Sequence, residues 1–258
     1  MKSVLHRQVL LASLLLLAPG LLCAEEIRVA TASNFRQAMA ELAGQFEQAS
    51  GHRVTPIFGS TGKHFAQIVN GAPFDAFFAA DAKRPEQLEE QGLTIPDSRF
   101  TYGIGRLVLW SPDAELVDPR GEVLKHQGFN RLAIANPRLA PYGLAARQTL
   151  ENLGLWQNLA ARLVRGENVA QAFLFVRSGN AELGLVAWSQ VKTEGDPPKG
   201  SFWQVPEAMY APIDQQAVLL KDNQATRSFM AFIRSAKAAK IIHKHGYATA
   251  VSQNPDVE

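Results

Sequence analysis

Short apolar runs alternate with amphipathic segments along most of the chain. The first run, Ile27–Ala32, leads into a segment whose apolar residues recur every three to four positions until Gly51. This spacing predicts a strand followed by a helix over residues 34–50 that ends at the glycine. The apolar face of this helix carries Phe35, Met39, Leu42 and Phe46.

The same alternation continues through two further units. Pro56 lies in the second predicted strand and places that strand near a sheet edge, because proline cannot donate to a neighbouring strand. The pattern predicts strands over 53–58 and 74–81 and helices over 64–70 and 84–92. Strands that alternate with helices in this way indicate a parallel sheet with crossover helices.

A longer apolar stretch, Thr101–Ser111, is predicted as one long strand, after which the alternation starts again. The second group predicts strands over 131–136, 161–166, 182–188, 202–206 and 214–221, and helices over 142–153, 168–178, 223–236 and 238–246. The predicted fold is therefore α/β with two lobes, each a mostly parallel sheet with helices on both faces. Lobe 1 is expected to comprise residues 25–104 and 214–258, and lobe 2 residues 105–213. Ligands of such sheets bind at the carboxyl ends of strands, which places a site in the cleft between the lobes.

The N-terminus has the three parts of a secretory signal peptide. Lys2 and Arg7 form a short basic start, and an apolar run follows that ends at the small residue Ala24. We expect residues 1–24 to be removed by cleavage after Ala24, which predicts a periplasmic protein. A lipid-anchored form at Cys23 is the alternative, but Leu22 is bulky where a lipoprotein signal usually has a small residue.

Removal of this segment changes the charge and the chemistry of the chain. It takes away two of the 26 basic residues, no acidic residue and the single cysteine, and so leaves 24 basic and 24 acidic residues. A chain of zero net charge offers no broad basic field to nucleic acid. No thiol is left for disulfides or nucleophilic catalysis, and we expect a monomer that is not an enzyme.

The segment "IFGSTGKHF", residues 57–65, resembles a phosphate-binding loop in composition only. A Walker-type loop needs a glycine five residues before the Gly-Lys pair and a hydroxyl residue after it, but Ile57 and His64 stand there. The segment keeps a helix start with Ser60 and Thr61 at its mouth, where unpaired N–H groups favour an anion. Lys63 is expected to be a bystander.

Three more segments place small polar residues at a predicted helix start. They are "TASNF" with Ser33 and Asn34, "ANPRLAPYG" with Tyr142, and "GENVAQA" with Val169 as an early helical amide. Each has a simple explanation as helix capping. Together, two starts in each lobe are able to form a clamp of neutral hydrogen-bond donors around one anion.

The chain resembles the periplasmic molybdate-binding proteins of ABC-type importers, which have the type II periplasmic-binding-protein fold. The resemblance covers essentially all of the chain after residue 24. It is carried by "ATASNF", "FGSTGKHFAQIVNGAPFDAFFAAD", "FTYGIGRLVLWS", "ANPRLAPYGLAA", "ENVAQA" and "ELGLVAWSQV". It implies capture of molybdate, with tungstate as a second ligand, and delivery to the membrane permease of an ABC importer, without a cofactor.

The resemblance also implies a ligand set. Ser33 matches a small hydroxyl residue of the family, Asn34 adds an amide beside it, and Thr61 matches the serine of the second loop, with Ser60 as its weaker neighbour. Val169 matches a residue that contributes its backbone amide. The same residues would hold the molybdenum only through the oxygens of molybdate, with no direct metal ligand.

Two positions depart from many family members. Ala187 stands where they have a tyrosine that reaches the anion, and Tyr142 stands where they have a small residue. The tyrosine hydroxyl has moved between loops, as in one subgroup of the family, so the number of donors is kept.

A site that only donates hydrogen bonds suits a fully deprotonated tetrahedral dianion. Phosphate near neutral pH keeps a proton that such a site leaves without an acceptor, at a cost of about 1–3 kcal/mol. Molybdate, tungstate and sulfate pass this test. A binding protein for another oxyanion such as sulfate, and an exported enzyme that uses the same cleft, remain the alternatives.

Overall fold

A computed structural model describes residues 24–126, 128–192 and 198–248 of the chain. The predicted signal peptide, including Cys23, lies outside the described residues except for Ala24. Across these three ranges no helix combines the length and the apolar character that a membrane crossing requires.

Two five-stranded sheets organise the described chain. The first sheet has the order β2-β1-β3-β10-β4 and the second has the order β7-β6-β8-β5-β9. The strands are β1 Glu26–Ala32, β2 Arg53–Gly59, β3 Ala76–Phe78, β4 Phe100–Gly105, β5 Leu107–Ser111, β6 Leu132–Ala135, β7 Leu163–Gly166, β8 Leu183–Ala187, β9 Ser201–Gln204 and β10 Ile213–Leu219.

Helices follow most of the strands. They are α1 Arg36–Ser50, α2 Thr61–Val69, α3 Lys83–Glu90, α4 Val123–His126, α5 Pro141–Asn152, α6 Trp156–Leu159, α7 Val169–Arg177, α8 Trp188–Val191, α9 Gln224–Ile233 and α10 Ala236–Lys244. Short 3₁₀ turns lie at Ser33–Phe35, Ala160–Arg162 and Glu207–Met209.

Each sheet is mostly parallel, as the alternating pattern predicted. In the first sheet β1 pairs in parallel with β2 and β3, and only β10 runs against its neighbours. In the second sheet β6 pairs in parallel with β7 and β8, and only β5 is reversed. The strand that contains Pro56 is an edge strand. The expected α/β architecture of two mostly parallel sheets is therefore confirmed.

The predicted long strand over Thr101–Ser111 is wrong, because the chain changes sheets within it. Residues up to Gly105 pair with β10 in the first sheet, and residues from Leu107 onward pair with β8 and β9 in the second, so the crossing falls at Arg106. The return crossing is the stretch 205–212, which contains the short 3₁₀ turn Glu207–Met209. A continuous apolar run predicts extended backbone, but it does not tell where the pairing partner changes.

Alternation within the strands of the first sheet covers both of its faces. Ile27 and Val29 pack into one core with α1, α9 and α10, whereas Ala30, the next residue after Val29, packs with Ile68 of α2 on the other face. This follows from side chains that point to opposite faces of a strand at successive positions. A separate core lies around the second sheet. Helices on both faces leave the carboxyl ends of the parallel strands as the place for a site.

Candidate functional site

Four strand-to-helix junctions meet around one small cavity between the two sheets. Two follow the neighbouring parallel strands β1 and β2, and two follow the neighbouring parallel strands β6 and β7. The lining atoms lie close together, and the space among them, adjoining open solvent included, is about 170 Å³. It is lined by Ala32, Ser33, Asn34, Gly59, Ser60, Thr61, Ala80, Ala140, Pro141, Tyr142, Asn168 and Val169. All six residues expected from the sequence, Ser33, Asn34, Ser60, Thr61, Tyr142 and Val169, line it, and all six are buried.

Ser33 and Asn34 begin the 3₁₀ turn that directly follows β1. The first N–H groups of a helical segment have no partner within it and are free to meet a ligand. The side chain of Asn34 is not free, because its Nδ2 donates to Gln215 Oε1 over 2.9 Å and to the Tyr247 hydroxyl over 3.0 Å. What Asn34 can offer the cavity is therefore its backbone N–H.

Ser60 and Thr61 begin α2 after β2, and they have different local roles. Ser60 is the N-cap, and its hydroxyl oxygen accepts the Lys63 N–H over 3.4 Å. The Thr61 hydroxyl oxygen accepts the N–H of Ala80, the residue after β3, over 3.0 Å. The Thr61 side chain is thereby tied to a second strand end of the same sheet.

Tyr142 and Val169 come from the other sheet. Pro141 is the first residue of α5, where its missing N–H costs nothing, and Tyr142 follows it. Val169 is the first residue of α7, and Asn168 caps that helix through the Gln171 N–H over 3.1 Å. Val169 thus presents its backbone N–H from a helix start, as the sequence indicated for an amide donor.

The four hydroxyl groups of the cavity share one property. Each accepts a hydrogen bond from a protein N–H and, among the described residues, none gives its own proton to a protein acceptor. The donors are Ala170 N for Ser33, Lys63 N for Ser60, Ala80 N for Thr61 and Gln215 Nε2 for Tyr142. Each of these hydroxyls therefore keeps its O–H proton free to donate toward a ligand in the cavity.

No charged side chain lines the cavity in the described part of the chain. Burial raises the pKa of the Tyr142 phenol well above its usual value, and the neighbouring tyrosines Tyr247 and Tyr210 add to the shift. Tyr142 therefore keeps its proton across the physiological pH range. Its hydroxyl acts as a neutral donor.

Lys63 does not line the cavity, in keeping with its expected place outside the ligand set, but its side chain has a partner across the cleft. Its Nζ pairs with Glu167 Oε1 over 3.0 Å, and Glu167 precedes α7 on the opposite side of the cleft. Both side chains are half-exposed, so this pair contributes about 0–1 kcal/mol. The sequence did not predict the pair, because Glu167 lies 104 positions away along the chain.

A larger groove opens beside the cavity. It has about 1050 Å³ of space, shares Ser33, Asn34 and Asn168 with the cavity, and carries Arg36 and Arg177 on its walls. Within the ranges that the structure describes, no group of three or more His, Cys, Asp or Glu side chains forms a metal site. The convergent buried donors distinguish the cavity from the groove as the candidate site for a small anion.

The sequence did not predict the polar side chains behind the cavity. Gln215, Tyr102 and Tyr247 are buried and surround the Asn34 side chain. One signal was present, since Gln215 occupies an inward position in β10, whose burial alternates along the strand. A polar residue at a core position of an alternating strand is unusual and points to a hydrogen-bond network.

Comparison with known proteins finds similarity to bacterial solute-binding proteins, several of them named for molybdate. A model of the family described as bacterial extracellular solute-binding protein matches residues 27–248. The molybdate-binding protein ModA of Azotobacter vinelandii is 49% identical over 227 residues, which are 87% of this chain and 90% of that protein. ModA of Rhodobacter capsulatus is 44% identical over 230 residues, 88% of this chain and 89% of that protein. A solved structure of the Azotobacter vinelandii periplasmic molybdate-binding protein matches with a TM-score of 0.84 and 46% identity, and the match covers 86% of this chain and 99% of that one.

Proposed function

The chain belongs to the family of bacterial extracellular solute-binding proteins, and from this premise we propose that it binds molybdate, with tungstate as a second ligand, and delivers it to an importer in the membrane. The relatives at 44–49% identity are named for molybdate binding, and the fold is that of the matching periplasmic protein. These relatives support the choice of anion.

The observation that carries the proposal is the direction of the hydrogen bonds around the cavity. Four hydroxyl oxygens accept protein N–H groups, and four O–H protons are left for a ligand. A tetrahedral dianion accepts several such bonds at about 2.7–3.1 Å. Bonds to a charged acceptor contribute about 1.5–3 kcal/mol each, so neutral donors suffice for tight binding.

In this proposal Ser33, Ser60 and Thr61 donate from one side of the cleft, together with the backbone N–H of Asn34. Tyr142 and the backbone N–H of Val169 donate from the other side. We infer that Thr61 is the main hydroxyl of its loop, because the Ala80 N–H holds its oxygen at 3.0 Å and the corresponding contact of Ser60 is 3.4 Å.

Selection against phosphate follows from the same donors. Hydrogen phosphate carries an O–H, and no carboxylate lines the described cavity to accept it. A cavity hydroxyl that lies against this O–H cannot also donate its own proton to the same oxygen, and the lost hydrogen bond costs about 1–3 kcal/mol. Sulfate has no such proton and must be rejected by size, because a cavity that fits the longer bonds of molybdate leaves the sulfate oxygens too far from the donors.

Transport would use closure of the two lobes, which we place at residues 25–104 with 214–258 and at residues 105–213. The open form would hold the anion on one lobe, and donors of the other lobe would complete the shell. We propose that the chain acts as a periplasmic monomer after cleavage at Ala24, that it meets the permease of an ABC importer, and that it performs no catalysis.

The test is isothermal titration calorimetry of the protein from residue 25 onward with molybdate, tungstate, sulfate and phosphate. We expect tight binding of molybdate and tungstate and at least a hundredfold weaker binding of sulfate and phosphate. Equal affinity for sulfate would contradict the molybdate assignment, and no response to any of the four would contradict oxyanion binding itself.

A further inference from the structure

Gln215 connects the two sides of the candidate site from behind the cavity. It belongs to β10 of the first sheet and its side chain is fully buried. Its Oε1 accepts the Asn34 Nδ2 over 2.9 Å, and its Nε2 donates to the Tyr142 hydroxyl over 3.2 Å. Tyr142 begins α5 beside the second sheet, so this contact joins elements of the two sheets.

The direction of the Gln215 amide follows from its neighbours. The Tyr247 hydroxyl has one proton and faces two oxygens, the backbone carbonyl of Asn34 at 2.9 Å and Ser189 Oγ at 3.0 Å. The carbonyl has no proton of its own, so it accepts the tyrosine proton, whereas Ser189 has its own proton to donate. The Asn34 side-chain atom that lies 3.0 Å from the same hydroxyl must therefore be the NH₂ group. That NH₂ group also faces Gln215, which turns the Gln215 oxygen toward Asn34 and the Gln215 NH₂ toward Tyr142.

A second tyrosine faces the same oxygen. The Tyr102 hydroxyl lies 3.0 Å from Gln215 Oε1 and 2.9 Å from the carbonyl oxygen of Ala79, and it shares its single proton between the two acceptors. The reversed Gln215 amide would satisfy Tyr102 better. When an anion occupies the cavity, however, the Tyr142 proton points to the anion. The reversed amide would then place the Gln215 oxygen against the Tyr142 oxygen with no proton between them, so a bound dianion favours the direction described above.

Space for this contact depends on the residue that ends β4. A Cβ atom at Gly105 would lie 2.2 Å from the Tyr142 hydroxyl oxygen and 2.6 Å from Gln215 Nε2. Neither distance is tolerated between non-bonded heavy atoms, so glycine is required where the two side chains meet. The Gln215–Tyr142 contact is thus built into the crossing between the sheets.

We propose that Gln215 is a positioning residue that keeps the Tyr142 hydroxyl a donor toward the bound anion and thereby takes part in the selection against protonated oxyanions. The inference rests on the proposed function. Because Gln215 donates to the Tyr142 oxygen, the phenol proton cannot point at Gln215 and points into the cavity instead. An acceptor at position 215 would take this proton and turn the lone pairs of Tyr142 toward the anion.

The test is the pH dependence of molybdate affinity in Gln215→Glu. An ionised carboxylate has no proton to donate, so we expect at least tenfold weaker binding than in the wild type at about pH 8.5. Burial raises the pKa of the introduced carboxyl group from its usual value near 4.3, whereas Asn34 Nδ2 and the Tyr102 hydroxyl, which face position 215 as donors, lower it. The titration is therefore carried down to about pH 5, where the introduced group gains its proton. The protonated group donates to Tyr142 again, and we expect the affinity to recover, whereas the wild type stays flat over this range.

Two control variants separate positioning from structural damage. Gln215→Met has neither donor nor acceptor, so its affinity is expected to be reduced equally at every pH. Gln216→Glu changes the neighbouring residue, which points away and contacts Thr101 and Arg99, and it is expected to bind like the wild type. A folded Gln215→Glu protein that binds like the wild type at high pH, or that stays weak at low pH, would overturn the proposal.

If Gln215→Glu does not fold, a double-mutant cycle replaces it. When Gln215 acts through Tyr142, the protein with both Gln215→Met and Tyr142→Phe binds no worse than the weaker single variant, whereas losses that multiply would overturn the proposal. Titration of the wild type comes first, because wild-type protein that fails to bind molybdate contradicts the proposed function and not the role of Gln215 alone.

Discussion

Gly62 donates its backbone N–H to the carbonyl oxygen of Leu139 over 2.8 Å, and this hydrogen bond joins the two sides of the cleft. Gly62 is the second residue of α2, and Leu139 lies in the turn before α5. A Cβ atom at Gly62 would lie 2.9 Å from that carbonyl oxygen and 3.1 Å from the Leu139 Cα. The two backbones approach this closely because residue 62 has no side chain.

The substitution Gly62→Ala is therefore expected to oppose closure without damage to either lobe. Crowding of this kind costs about 1–3 kcal/mol, so we expect molybdate affinity to fall about 5- to 150-fold in calorimetry. The melting temperature without ligand should not fall. Gly44→Ala is the matched control, because a Cβ atom at Gly44 meets nothing within 4 Å, and it should leave the affinity unchanged. Wild-type affinity in Gly62→Ala would show that closure does not need this contact.

Tyr142→Phe tests the relocated tyrosine hydroxyl. It removes one O–H donor from the cavity and leaves the ring, so we expect molybdate to bind about 10- to 150-fold more weakly, as for the loss of a hydrogen bond to a charged group. Tyr210→Phe is the comparison, because Tyr210 is also buried but accepts the Leu107 N–H away from the cavity. Equal titration curves for Tyr142→Phe and the wild type would remove Tyr142 from the ligand set.

Substitutions should distinguish the roles of the Thr61 and Ser60 hydroxyls, which are neighbours in the second loop. Thr61→Ser keeps the hydroxyl and should keep most of the affinity, whereas Thr61→Val should lose about 10- to 150-fold. Ser60→Ala removes the cap of α2, and we expect the free energy of unfolding to fall by about 0.5–2 kcal/mol in chemical denaturation. A larger loss of affinity in Ser60→Ala than in Thr61→Val would reverse the order that we assign to these donors.

His64 should make stability depend on pH. Its side chain is buried behind the second loop, Nδ1 bonds Gln67 Oε1 over 3.1 Å, and Nε2 has no partner in the described part of the chain. Burial lowers its pKa from the usual 6.5, and the charge of Lys63 adds to this, while the Gln67 bond opposes it.

The unfolded chain therefore takes up a proton on this histidine at a higher pH than the folded chain. The free energy of unfolding should fall as the pH drops below about 6.5, by at most about 1.4 kcal/mol per pH unit, until the folded-state pKa is passed. Chemical denaturation at several pH values should show that the free energy of unfolding of His64→Gln lacks this pH dependence. The control His243→Gln, at an exposed histidine of the last helix, should keep it. An unchanged slope in His64→Gln would contradict the assignment.

Several features of the site could be predicted from local sequence because helix starts are local. Ser33, Thr61 and Val169 each stand within three residues of a strand end, and the rule that places ligands at the carboxyl ends of parallel strands is sufficient to bring them together. Tyr142 was likewise predicted from its helix start, and the family resemblance added the expectation that its hydroxyl replaces a tyrosine that many members have at position 187.

The remaining features depend on contacts between distant segments. Gln215 meets Asn34 across 181 positions of the chain, and Lys63 meets Glu167 across 104. The crossing at Arg106 was missed for a similar reason, since an extended run of apolar residues looks the same whether it pairs within one sheet or two. Contacts between distant segments depend on how the lobes pack, and hydrophobic periodicity, which is a local pattern, does not predict that packing.

Whether molybdate binds in the cavity between the sheets is tested most directly by anomalous diffraction at the molybdenum absorption edge from crystals grown with molybdate. We expect one strong peak inside the cavity, with the anion's oxygens about 2.7–3.1 Å from the hydroxyls of Ser33, Thr61 and Tyr142. A peak in the outer groove beside Arg36 and Arg177, with the cavity empty, would contradict it.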